Sequence, residues 1–217
     1  MPLLPFQAAL GTALEGATPR VREHFLQPPG TCRYRGVMRR VWRRAGWRGR
    51  LPAPLLRFGS LHGKLFADTG ADVPFELENR VTALPDGRAT MTWLRTFHFP
   101  SGTRQFHGIM LFEPARGVIV DWLGKARQLE VELHPQVERG AVTLRSGRQW
   151  VCLGPLRLPF PDWIAGRAHV REWEEPDGSL AVRVTIDNPL LGEFFGYEGS
   201  FRLVEASEET DTESKQR

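Results

Sequence analysis

The chain has 217 residues, 41% of them hydrophobic, and no apolar run in it approaches the roughly 20 residues of a membrane-spanning helix. The first residues carry no basic stretch ahead of an apolar run, so we predict no signal peptide and expect a soluble, cytoplasmic protein. The net charge is +4, and nearly all of the positive charge is carried by arginine. The planar guanidinium of arginine can bind carboxylate or phosphate with two parallel hydrogen bonds.

Two short helices are predicted at the start of the chain. In the first, apolar residues recur at helical spacing until Gly16 ends the pattern. The second begins at Thr18-Pro19, an N-cap followed by proline, and its inner face carries Val21, His24 and Phe25.

From Val73 onward the apolar residues alternate with polar ones, which is typical of half-buried strands. Turn signals then recur at hairpin intervals. We therefore predict a mainly β (α+β) fold, in which an antiparallel meander of eight or more strands forms a barrel or curved half-barrel. The turn signals are Pro85-Asp86-Gly87, Pro100-Ser101-Gly102, Pro114–Gly117, Arg139-Gly140 and Pro176-Asp177-Gly178.

Two segments interrupt the meander. Leu51–Phe66 is predicted as a helix over one end of the sheet, and Pro159–Ala165 as a short helical turn. The hydrophobic pattern stops after Leu203, so we assign residues 1–205 to a single domain and residues 206–217 to a disordered acidic tail.

Several short motifs follow one another in order along the predicted sheet. They are Trp93–Phe97, Arg104–Phe106, Asp121–Gly124, Leu153–Pro159, Pro189–Gly192 and Tyr197–Gly199. The ordered set resembles domain-of-unknown-function family 4166, over about Leu4 to Leu203.

The resemblance implies no activity, because that family is named for having no assigned function. Its members stand alone or are appended to saccharopine-dehydrogenase-like domains, which suggests a dehydrogenase-like partner by analogy. This chain has no G-x-G-x-x-G motif, so dehydrogenase activity does not transfer to it. The family pattern implies an acid at Asp121 and at Glu172, and a serine where this chain has Gly108.

Arg95 is the most informative single residue. It shares its face of the predicted strand with Trp93 and Phe97, so its guanidinium should point into the apolar interior and needs an anion there. Asp121 or Glu172 would supply a structural salt bridge; the alternative is an anionic ligand. Further aromatic residues predicted to line the interior with Arg95 include Phe106 and Tyr197.

Catalytic and metal-binding motifs are missing from the sequence. The six histidines form no H-E-x-x-H motif and the two cysteines no C-x-x-C motif, so we expect neither a metal nor a cofactor. An acid/base enzyme that uses Asp121, Glu172 and a histidine, either His107 or His169, is the third of three functional hypotheses.

The densest positive charge lies between Arg33 and Arg50, where arginines are interleaved with aromatic residues. One interpretation is an amphipathic segment with Val37, Met38, Val41 and Trp42 packed inward at helix-like spacing. The other is a surface for anionic membrane or nucleic acid, our second functional hypothesis. The leading hypothesis is that the barrel binds a hydrophobic or amphipathic small molecule, such as an acidic lipid. The arginines of the predicted surface are Arg39, Arg40, Arg43 and Arg44.

Overall fold

The computed structural model describes residues 2–43, 68–124, 126–163, 165–190 and 192–208. Its helical elements are α1 (Pro5–Leu10), the 3-10 helix η1 (Gly11–Gly16) and α2 (Pro19–Phe25). Its strands are β1 (Gly30–Arg43), β2 (Gly70–Ala83), β3 (Ala89–Phe99), β4 (Gly102–Glu113), β5 (Val118–Leu123), β6 (Leu129–Glu138), β7 (Ala141–Leu153), β8 (Leu156–Pro159), β9 (Arg167–Glu174), β10 (Leu180–Asn188) and β11 (Gly192–Glu208).

The strands form a closed antiparallel barrel. The sheet order is β6-β5-β4-β3-β2-β1-β11-β10-β9-β7, and β7 pairs with β6 to close the circle of ten strands. Strand β8 stands outside the circle as a hairpin partner of β7. The predicted β meander is confirmed, and each of its five predicted turns falls between two consecutive strands.

The N-terminal helices fill one end of the barrel, which we call the helix end. The Phe6 ring lies 4.5 Å from the Phe25 ring and 6.0 Å from the Trp93 ring, measured between centroids. Thr18 donates a backbone hydrogen bond to Gly140 in the β6–β7 turn, which fixes the helices to the rim. The opposite end, which we call the distal end, is where β1, β7 and β10 finish.

The predicted interruptions have different outcomes. The helix predicted at Leu51–Phe66 lies outside the described residues. Of the segment predicted as a short helical turn, Pro159–Ala165, Pro159 ends strand β8, and the Ala165 N–H donates to the Pro161 carbonyl at 3.0 Å, as in one helical turn. Strand β11 continues to Glu208, three residues past the predicted domain end, and residues 209–217 lie outside the described residues.

The helix-like reading of the basic segment was wrong, because Gly30–Arg43 is a strand. A β-bulge against β11 between Val37 and Arg40 reverses which side chains face inward. Met38 and Val41 are therefore both buried although they are three residues apart, a spacing that imitates a helix. Val37, predicted to pack inward, is 41% exposed.

The same bulge brings β1 and β11 into close contact at Gly199. A Cβ atom at this position would lie 2.5 Å from the Met38 Cα and would also collide with the Val37 carbonyl group. The obstacle is backbone on a paired strand, so it cannot move aside as a flexible side chain would.

We predict that Gly199→Ala lowers the free energy of unfolding by about 1–3 kcal/mol or more, the usual cost of overpacking. Gly16→Ala is the control, since its Cβ would meet only the Val137 Cγ1 atom at 3.6 Å. Chemical denaturation of both variants is the measurement. Equal stability of the two variants would contradict the close approach.

Candidate functional site

Three charged residues from distant parts of the chain face the interior of the barrel. Arg95 is on β3, Asp121 on β5 and Glu172 on β9. Each shares its inward face with core residues of its own strand, and both carboxylates are buried. Arg95 is only half-buried, so part of its side chain stays accessible on the inner surface.

The Arg95 guanidinium rests on aromatic rings. Its Cζ atom lies 4.7 Å from the Trp93 ring centroid and 5.4 Å from the Phe106 centroid, within cation–π distance of both. Within the described residues, no carboxylate oxygen lies within 4.0 Å of an Arg95 guanidinium nitrogen, the distance of an ion pair. The direct salt bridge weighed for Asp121 or Glu172 is therefore not formed there.

Burial controls the protonation of the two carboxyl groups. Removal from water raises the pKa of Asp121 to about 6, against the opposing effects of Arg95 and a backbone hydrogen bond from Ile109. Burial likewise raises the pKa of Glu172 to about 7, against the attraction of Arg95. The Asp121 Oδ1 and Glu172 Oε2 atoms have no hydrogen-bond partner within the described part of the chain.

His24 joins the cluster from helix α2. Its Nε2 atom lies 3.4 Å from Glu172 Oε2, but the two groups are not aligned for a hydrogen bond. Burial, reinforced by the charge of Arg95, lowers the pKa of His24 to about 3, so its ring is neutral at pH 7. The sequence placed His24 on the inner face of its helix but gave no sign that Glu172, far along the chain, lies beside it.

The remaining predicted aromatic residues divide into two groups. Phe97 and Tyr197 are fully enclosed and pack on each other with ring centroids 5.2 Å apart. Trp93 is also buried, and its ring stacks on the Phe6 ring of helix α1. Phe106, in contrast, is half-buried and leaves part of its ring accessible beside Arg95.

The histidines named as bases do not join Asp121. His169 is on the outer surface, where its Nε2 atom lies 3.0 Å from Asp187 Oδ1. His107 precedes the inward-facing Gly108 and so occupies the other face of β4. The catalytic arrangement proposed with either histidine is therefore wrong, and His24 is the histidine that approaches a buried carboxyl group.

Gly108 provides the space for the Asp121 carboxyl group. A Cβ atom at this position would lie 2.7 Å from Asp121 Oδ1. Any side chain there would press on the carboxylate or push it away from its present place. The absence of a side chain at position 108 therefore shapes the cluster directly.

The predicted basic surface is only partly free of partners. Arg33 pairs with Glu78 and Glu205, whereas Arg39, Arg40 and Arg43 are exposed. These three line a shallow groove of about 510 Å³ with Trp42 and residues 69–71. Arg44 lies outside the described residues.

Within the described ranges, no three His, Cys, Asp or Glu side chains are grouped so that they could hold a metal ion. No helix in the same ranges is long and apolar enough to cross a membrane. Neither Cys32 nor Cys152 forms a disulfide bond within the described residues.

We predict that Glu172→Gln becomes more stable relative to the unchanged protein as pH rises from 4.5 to 8. The raised pKa of Glu172 gives stability at low pH that is lost as pH rises through about 7, and glutamine cannot ionise. The expected gain is on the order of 3 kcal/mol. The lowered pKa of His24 makes stability change with pH in the opposite sense, but His24 is present in both proteins, so its effect cancels in the difference.

Urea denaturation at several pH values measures this difference. Glu138→Gln, at an exposed position of β6, is the matched control. A constant difference between Glu172→Gln and the unchanged protein across this range would contradict the buried, proton-binding state of Glu172.

Comparison with known proteins gives the family of the chain. The model of the Domain of unknown function (DUF4166) matches residues 18–201. The chain is also similar to the uncharacterized protein YndH of Bacillus subtilis (strain 168), with 31% identity over 153 residues, 70% of this chain and 75% of the relative. The resemblance inferred from the ordered motifs is thereby confirmed, and this β-barrel protein belongs to the DUF4166 family.

Proposed function

We propose that the barrel binds a hydrophobic or amphipathic small molecule with an acidic group, such as an acidic lipid, and that Arg95 holds the acidic group. The observation that carries this proposal is the position of the Arg95 guanidinium. It is partly accessible on the inner surface, stacked on two aromatic rings, and without a carboxylate in ion-pair distance among the described residues. A guanidinium in such a place favours a planar anion such as a carboxylate.

The walls next to Arg95 suit an apolar chain. Phe106, Leu123 and Leu129 face inward on three neighbouring strands, and each is only half-buried. Apolar walls with a few convergent polar groups are typical of small-molecule sites. The ligand would therefore place its acidic group at Arg95 and its chain along these residues.

Binding of an anion at Arg95 would be coupled to proton uptake. Asp121 and Glu172 already have raised pKa values, and a further negative charge nearby disfavours their ionised forms. The pKa of Glu172 is about 7, so this residue would take up most of the proton near neutral pH. Affinity for an anionic ligand should consequently rise as the pH falls.

Two other functions have weaker support. The groove of Arg39, Arg40 and Arg43 offers positive charge beside Trp42 and suits an anionic membrane or nucleic acid. An acid/base enzyme would use Glu172 with His24, which lie 3.4 Å apart but are enclosed and not aligned for proton transfer. The small-molecule proposal accounts for Arg95, Asp121 and Glu172 together.

We predict that a fluorescent long-chain fatty acid binds at least about tenfold more tightly than its methyl ester, the difference that one charge-assisted hydrogen-bonded contact provides. Arg95→Met should remove most of that preference. Arg171→Met is the matched control, because Arg171 also lies over a tryptophan, Trp173, at 5.3 Å, but is exposed. Fluorescence titration gives both affinities, and an unchanged preference in Arg95→Met would overturn the role of Arg95.

A permanently charged ligand tests the proton coupling. We predict that dodecyl sulfonate binds with net proton uptake at pH 7, and more tightly at pH 6 than at pH 8, because Glu172 is then protonated more readily. Titration calorimetry in buffers of different ionisation enthalpy measures the uptake. Glu172→Gln should reduce it, and binding without proton uptake by the unchanged protein would contradict the coupling.

A further inference from the structure

The β7–β8 hairpin carries apolar side chains at the distal end of the barrel. Leu153 is 53% exposed, Leu156 52% and Leu158 44%. Leu153 pairs with Leu156, and Val151 pairs with Leu158. Residues directly opposite each other in an antiparallel pair, and residues two apart on a strand, point to the same face, so the three leucines form one apolar surface, the lip.

The lip continues the inner surface of the barrel. Val151 pairs with Leu129, which pairs with Leu123, and Leu123 pairs with Gly108 on β4. Two residues before Gly108 is Phe106, which lies beneath the Arg95 guanidinium. The inward faces of neighbouring strands therefore connect the lip to Arg95, and the apolar side chains between them are half-buried.

The surroundings of the lip are basic and aromatic. Between positions 148 and 167 the sequence has three arginines and one aspartate, and one of these arginines, Arg157, is paired with Glu130. Arg148 and Arg167 are exposed, and Trp163 is 62% exposed. The Trp163 carbonyl accepts a hydrogen bond from the Asn188 side chain at 3.0 Å, which ties this segment to the end of β10. Leu190, 68% exposed, follows in the β10–β11 turn at the same end of the barrel.

These properties match an anionic bilayer better than a second copy of the chain. Apolar side chains and tryptophan enter the interfacial region of a membrane, and neighbouring arginines attract acidic headgroups. Pairing of two copies through the β8 edge is disfavoured, because β8 has only four residues and ends in Pro159. Two basic copies would also repel each other here.

We propose that the lip docks the distal end of the barrel onto an anionic lipid bilayer. The leucines of the lip insert between headgroups, and Arg148 and Arg167 contact lipid phosphates. Transfer of a lipid from the bilayer along the inner face to Arg95 rests on the proposed function, whereas docking itself does not.

Vesicle flotation tests docking with the full chain. Vesicles of phosphatidylcholine with 30 mol% phosphatidylglycerol should bind the protein, and pure phosphatidylcholine should bind it more weakly. Leu153→Ser with Leu156→Ser should lower binding by about tenfold. The matched control is Leu203→Ser with Val204→Ser, at residues 52% and 54% exposed towards the helix end of β11.

Equal loss in the two double variants, or no loss in either, would overturn docking through the lip. Light scattering measures the oligomeric state of both proteins. If the unchanged protein is a dimer and the lip double variant is a monomer, the lip is a contact between copies and docking is overturned. Binding of dodecyl sulfonate without vesicles is measured in parallel. Loss of that binding in Arg95→Met with normal flotation separates the ligand site from the docking surface.

Discussion

Arg95 places a positive charge on the inner surface of a closed barrel, and the protonation of the other interior groups depends on its position. A buried charge without compensation is costly, so the interior must supply opposite charge near Arg95 or admit it from outside. Asp121 and Glu172 supply part of it at long range, and Arg95 in turn lowers their pKa values against the stronger effect of burial. The same charge helps to keep His24 neutral. Burial and the charge of Arg95 together therefore set the protonation of this cluster.

The two ends of the barrel are filled differently. Ten strands enclose more space than their own side chains fill easily, and here the N-terminal helices occupy one end with Phe6 and Phe25. The inner surface beyond the helices stays partly accessible along Phe106, Leu123 and Leu129. The same inward face continues through neighbouring strands to the β7–β8 hairpin. The N-terminal helices therefore fill one end of the barrel, and an apolar inner face extends to the other end.

Local sequence patterns predicted the strands, their turns and the inward direction of Arg95, because alternation with period two determines which face a side chain occupies. They left open whether the sheet closes into a barrel, because closure depends on the β1–β11 pair between strands far apart in the chain. They also misread the first strand, since a bulge breaks its alternation near Met38. His24 could be placed on the inner face of α2, but only the assembled barrel brings it to Glu172. The exposed leucines of β8 had no periodic signal of their own in a strand of four residues.

Native mass spectrometry of the protein after incubation with a total lipid extract directly tests whether the barrel binds an acidic ligand through Arg95. We expect a stoichiometric adduct that leaves on denaturation and is identified as an acidic lipid or another amphipathic acid. Arg95→Met, incubated in the same way, should bind much less of that acid. A protein without adduct after incubation, or equal binding of neutral and acidic lipids by the unchanged protein, would contradict the binding of an acidic group at Arg95.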